Sequence, residues 1–97
     1  MKATYSLVLV KGLIKDGSWF LTESARDTAV ALGFDEEDVR DCIVNFLEDT
    51  HFYKTMPAKA KTGLMQDVYH ITYCEIPLYV KLQVNVSAVV VSFKEQD

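Results

Sequence analysis

Apolar residues change their spacing once along this chain, from a repeat near 3.6 residues before Thr50 to a repeat of two after it. That change separates helices from strands. Leu9, Val10, Leu13 and Ile14 sit at helical spacing and predict a helix over Tyr5 to Asp16, with Gly17 placed for the left-handed cap beyond its end. Ser18 to Leu21 reads as a short strand. Thr22 has the hydroxyl to cap a helix from Glu23 to Leu32, which Gly33 closes. The next helix has the clearest pattern. Val39, Cys42, Ile43, Phe46 and Leu47 line one stripe behind Asp35-Glu36-Glu37-Asp38, four carboxylates where the helix macrodipole favours negative charge. Capping and solvation account for that acidic run without a metal.

Beyond Thr50 four strands are predicted. His51 to Met56 is the first, ended by Pro57, which has no N–H for a ladder. Ala58 to Gly63 forms a loop of small and polar residues with a basic tip at Lys59 and Lys61. Leu64 to Tyr73 is the second strand, and Glu75-Ile76-Pro77 turns the chain. In the third, Leu78, Val80, Leu82, Val84 and Val86 alternate with Tyr79, Lys81, Gln83 and Asn85. Such alternation means one buried face and one wet face. Ser87-Ala88 leads into Val89 to Lys94, where Val89, Val91 and Phe93 share a face and Ser92 and Lys94 oppose them. Helices followed by an antiparallel meander predict an α+β fold of two layers, with N-terminal helices packed on a mainly antiparallel sheet formed largely by the second half.

Composition narrows the picture. Ninety-seven residues suit a single domain over 1–97 with one core, and 49% hydrophobic with 25% charged residues is a globular balance. The net charge of −4 argues against indiscriminate nucleic-acid binding, so direct DNA binding is not expected, while a local basic patch stays open. Two cysteines, Cys42 and Cys74, are too few for a disulfide framework and are expected as free thiols, Cys42 buried and inert on its helix stripe. Lys11 interrupts the apolar run Leu7 to Val10 too early for a secretory leader, and no stretch approaches the about 20 apolar residues of a membrane span. The expected location is the cytoplasm, with no membrane partner.

Candidate chemistry lies on the wet sheet face. Tyr79 and Lys94 oppose the apolar faces of their strands, so the core does not require them, and Lys54 and Gln66 join them if neighbouring strands pair. Two ammonium groups, a phenol and a carboxamide suit a phosphodiester. RNA cleavage without a metal needs a base for the 2′-hydroxyl, a cation for the phosphorane and an acid for the leaving 5′-oxygen. Two lysines close together depress one another's proton affinity, which would free one as base. The plain alternative is that these lysines only solubilise the sheet and Tyr79 only packs across strands. His70 shares the parity of Gln66 and is an accessory candidate for proton transfer or phosphate contact. Neither His51 nor His70 stands at zinc-ligand spacing from Cys42 or Cys74, and no phosphate-binding loop or nucleophile elbow is present. No metal or other cofactor is expected.

The segments Phe52-Tyr53-Lys54-Thr55-Met56, Gln66-Asp67-Val68-Tyr69, Tyr79-Val80-Lys81 and Val91-Ser92-Phe93-Lys94-Glu95, in this order and at these separations, resemble the MqsR family of toxins. The resemblance implies a RelE-like fold and a ribosome-independent mRNA interferase that cuts single-stranded mRNA at short motifs of GCU type. It also implies a cognate antitoxin, MqsA-like or of another build, that silences the enzyme. The family's active-site Lys, Gln, Tyr and Lys fall on Lys54, Gln66, Tyr79 and Lys94, with His70, Lys81, Lys59 and Lys61 as candidate RNA contacts. The chain departs from the family pattern at Met65, where a Trp is common, and at His70-Ile71, where Arg-Pro is common. Pro57 and the Lys59/Lys61 loop differ as well. These departures bear on sequence specificity. A non-catalytic RNA- or protein-binding module of the same fold is the competing expectation.

Overall fold

A computed structural model describes residues 2–59 and 61–97. Met1 and Ala60, the latter in the predicted loop, lie outside the described residues. Among the described residues three α-helices precede most of a five-stranded sheet: α1 (Leu7–Lys15), β1 (Trp19–Leu21), α2 (Glu23–Ala31), α3 (Glu36–Asp41), β2 (Phe52–Pro57), β3 (Met65–Tyr73), β4 (Ile76–Asn85) and β5 (Ser87–Glu95). The strands lie in the order β1-β5-β4-β3-β2. Only the β1–β5 pair is parallel, and the other three pairs are antiparallel. The expected α+β fold with N-terminal helices on a mainly antiparallel sheet is what the chain adopts.

Local chemistry sets the helix ends. The Thr22 hydroxyl accepts from Ala25 N and donates to Val91 O, so the cap of α2 also ties the helix to β5. Asp35 and Asp38 exchange side-chain and backbone hydrogen bonds in a capping box at the start of α3. Gly17 and Gly33 follow their helices at φ +83° and +90°, where a side chain would be strained. In α1 the buried stripe is Leu7, Val10 and Ile14, while Leu9, expected in the core, is half exposed.

The helix predicted through Leu47 breaks instead. After Asp41 the backbone widens into a π turn over Cys42–Phe46, closed by Leu47 N on Cys42 O at 2.9 Å. The extra residue in that turn rotates the stripe. Cys42, Ile43 and Leu47 stay fully buried, whereas Phe46 moves out to the rim against Tyr73.

Three differences in the sheet share one cause: turns and bulges, which alternation alone does not reveal. The β3–β4 turn is Cys74-Glu75, both at positive φ, so β4 starts at Ile76 and Pro77 lies inside it. Pro77 is the second residue of β4, and its carbonyl accepts from Gln96 N just past the end of β5. The β4–β5 turn pivots on Val86 at φ +71°, leaving that side chain 92% exposed rather than in the core. A register shift between Lys81 and Leu82 leaves Val91 as the extra residue of β5. Phe93, Val90 and Ala88 therefore face the helices, and Val89 joins Ser92 and Lys94 on the opposite face. The core lies between helices and sheet, centred on Val10, Ile14, Val39, Ile43, Leu47, Tyr69, Leu78, Val80 and Phe93.

Candidate active site

The sheet face turned away from the helices holds three cross-strand rows. His70 of β3, Tyr79 of β4 and Lys94 of β5 are direct partners in the first. Lys54, Val68, Lys81 and Ser92 make the second, one residue from each of β2 to β5. In the third, Met56 pairs with Gln66, and Gln66 Nε2 donates to Gln83 Oε1 at 2.8 Å. The four residues expected to converge, Lys54, Gln66, Tyr79 and Lys94, do share this face.

Lys54 reaches it through an irregularity. Strict alternation puts Phe52 and Lys54 on one side, but a register shift between them pairs Phe52 with Tyr69 and Lys54 with Val68. Phe52 packs against the core, and Lys54 and Met56 take the outer face. Tyr53, the residue inside the shift, lays its ring on His70 with centroids 4.1 Å apart and planes 16° apart. His70 in turn leans on Tyr79, with ring centroids 5.9 Å apart. Sequence reasoning did not single out Tyr53. The only local signal was an exposed-type aromatic beside Lys54, and the bulge that aims it is set by β3.

Three ammonium groups lie over aromatic rings at cation–π range: Lys54 over Tyr53 at 5.6 Å, Lys94 over Tyr79 at 5.2 Å and Lys81 over Tyr79 at 5.8 Å. Val68 is fully buried on this same face, so its middle is closed over by surrounding side chains rather than open to water. Burial, followed by the nearby Tyr53, pushes the Tyr79 phenol above its ordinary range, which keeps its hydroxyl protonated and able to donate. Lys54 and Lys94 are three strands apart, roughly 14 Å across the sheet. Lys81 stands between them, and its proton affinity falls. Burial is the first cause, and the charges of Lys59, Lys94 and Lys54 add to it. The loop lysine Lys59 thus bears on the site. Lys61 of the same loop is exposed and is not among the charges acting on Lys81.

Carboxylates next to the site in sequence turn the other way. Asp67 is 1% exposed on the helix side, where it accepts from Thr4 N at 2.9 Å and Tyr5 N at 2.8 Å. Glu95 pairs with the core residue Leu78 and so points to the same side as Asp67. The face keeps cations, amides and a phenol, a donor set made to meet an anion. Amines and an amide offer little to Mg²⁺, which takes oxygen ligands in octahedral array. Among the described residues no group of three or more His, Cys, Asp or Glu side chains is placed to hold a metal.

The remaining candidates have structural duties. His51 Nδ1 accepts from Glu48 N at 2.9 Å and closes a 3-10 turn. Cys42 and Cys74 are free thiols, and burial pushes the Cys42 thiol up to about 12, which makes it inert. Of the departures from the family pattern, Met65 lies on the helix side of β3, where its carbonyl accepts from Tyr5 Oη at 2.6 Å. Ile71 is buried in the core. His70 alone of these three reaches the candidate site.

A family model described as motility quorum-sensing regulator, toxin of MqsA, matches residues 2–95. The mRNA interferase toxin MqsR of Escherichia coli (strain K12) is 33% identical over 87 residues, covering 90% of this chain and 88% of that protein.

Proposed function

The chain belongs to the MqsR toxin family, and we propose that it cleaves single-stranded mRNA on the outer face of its sheet through Lys54, Gln66, Tyr79 and Lys94, without a metal ion and at short motifs of GCU type. As a member of that family it is an mRNA interferase toxin, an endoribonuclease, with an antitoxin as partner. No helix among the described residues is long and apolar enough to cross a membrane.

The observation that carries the site assignment is the gathering of these four side chains on one face with Asp67 and Glu95 turned to the other. A phosphodiester brought there meets ammonium groups on both flanks. Lys54 and Lys94 stabilise the negative charge that grows on the phosphorane, the term that usually contributes most. The Tyr79 hydroxyl, kept protonated, donates to a phosphate or leaving oxygen. Gln66 is oriented by Gln83 so that its amide meets the substrate in one defined direction. His70, Lys59, Lys81 and, at the loop tip, Lys61 extend the cationic and stacking surface along the strand of RNA. The antitoxin is of MqsA type and silences the enzyme by forming a complex with it.

The test is cleavage of a defined single-stranded RNA by purified chain in chelator-containing buffer, with the 5′ ends of the fragments sequenced. Wild type should cut at GCU-type motifs, and Lys54→Ala or Lys94→Ala should stay folded and lose cleavage. If both variants cut at the wild-type rate, the site assignment is wrong. A wild-type protein that still captures the antitoxin but cuts no RNA would favour a non-catalytic binding module.

A further inference from the structure

The geometry points to Lys81 as the group that takes the 2′-hydroxyl proton during cleavage, with Lys54 and Lys94 flanking it on either side. This assignment rests on the RNA-cleaving reading of the same face. Three placements support it. Lys81 occupies the middle row on the central strand, two strands from Lys54 and diagonal to Lys94, whose direct partner is Tyr79. An attacking nucleotide whose phosphate lies between the two outer cations therefore has Lys81 beneath it. The side chain is half-buried over the Tyr79 ring, which limits its access to water.

Among the described residues, the charges acting on it are cations. Lys59 comes from the β2–β3 loop, Lys94 from β5 and Lys54 from β2, and the Tyr79 ring lies against its ammonium. Asp67 and Glu95, which would hold an ammonium charged, are on the other face. Consistent with that surround, the Lys81 ammonium is easier to deprotonate than an ordinary lysine.

The step balances as a transesterification. The neutral Lys81 Nζ takes the proton of the 2′-hydroxyl as the O2′–P bond forms. The P–O5′ bond breaks with its electron pair on O5′, which takes the Tyr79 hydroxyl proton. Products are a 2′,3′-cyclic phosphate and a 5′-hydroxyl end. The Lys81 ammonium and the Tyr79 phenolate then return to their starting forms by proton exchange with water. Lys81 and Tyr79 stand two residues apart on one face of β4, with the Lys81 ammonium 5.8 Å from the centre of the Tyr79 ring, so one nucleotide can meet both side chains.

Lys81→Arg separates charge from proton transfer, because guanidinium keeps the cation but does not deprotonate at working pH. Single-turnover cleavage should fall by about 100-fold or more. Affinity for an RNA carrying 2′-deoxyribose at the cut should stay within about threefold, since the phosphate contact survives. The wild-type rate should rise with pH and level off below the ordinary lysine range, and that rise should vanish in Lys81→Arg. Small primary amines should restore cleavage to Lys81→Ala, whereas guanidinium should not. If Lys81→Arg does not fold, Lys81→Met, which keeps the apolar stem, takes its place in the rescue experiment, where amines but not guanidinium should restore cleavage. The assignment is overturned if Lys81→Arg cuts within about threefold of wild type with the same pH profile, or if guanidinium rescues as well as amines. Failure of wild type to cut RNA would instead remove the reading on which the assignment rests.

Discussion

The imidazole of His70 lies flat on the phenol of Tyr53, ring centroids 4.1 Å apart, at the position where β2 shifts its register against β3. The contact holds an aromatic that remains 56% exposed at the edge of the cationic face. A held ring stacks a base with less ordering cost than a free one. Replacing His70 with Ala should weaken binding of a non-cleavable RNA by about fivefold, the equivalent of about 1 kcal/mol of lost aromatic packing. The melting temperature should change little. Fluorescence anisotropy against thermal unfolding checks both halves of the expectation.

Gln83 has no direct role in the chemistry proposed, yet its side-chain oxygen accepts from Gln66 Nε2. Gln83→Leu should leave the Gln66 amide free to rotate and lower single-turnover cleavage by about 5- to 10-fold, the value of one lost hydrogen bond. A rate equal to wild type would mean that Gln66 needs no such alignment.

Lys59 acts on Lys81 from the loop, whereas Lys61 does not. Binding of the 2′-deoxy-substituted RNA at increasing salt should therefore distinguish them. Lys59→Ala should flatten the slope of log K against log salt by about 0.7, one phosphate contact on a single strand. Lys61→Ala should change it by less.

Asp67 supports the site from the opposite side of β3. Its buried carboxylate receives the backbone N–H groups of Thr4 and Tyr5 and so pins the chain that enters α1 across the sheet. Asp67→Ala strands two donors and should cost about 2 kcal/mol of stability. Urea unfolding measures it, and cleavage by the folded fraction should persist because Asp67 does not face the substrate.

Much of this layout was legible in the chain itself. Thr22, Asp35, Gly17 and Gly33 mark helix ends by chemistry that acts within a few residues, and the structure keeps all four in those roles. Leu78, Val80 and Leu82 announce the buried side of β4, so Tyr79 and Lys81 had to face outward. The misplacements fall where pairing partners intervene. Val91 and Tyr53 sit at register shifts, and Val86 forms a turn at positive φ that a β-branched residue would not advertise. Phe46 satisfies a helical stripe on paper, but the backbone opens into a π turn once Leu47 must reach the core.

By itself, then, the sequence determined which segments become helix or strand, and it determined that Tyr79 and Lys94 stand on a polar face. Those properties follow from side-chain period and from caps, both local. Only the tertiary structure decided that β2 bulges to turn Lys54 away from Phe52, that Asp67 points from the site to the chain entering α1, and that Lys81 comes to the centre of the lysines. Each depends on which strand lies beside which, and on backbone hydrogen bonds between residues far apart in the chain, which side-chain alternation does not encode.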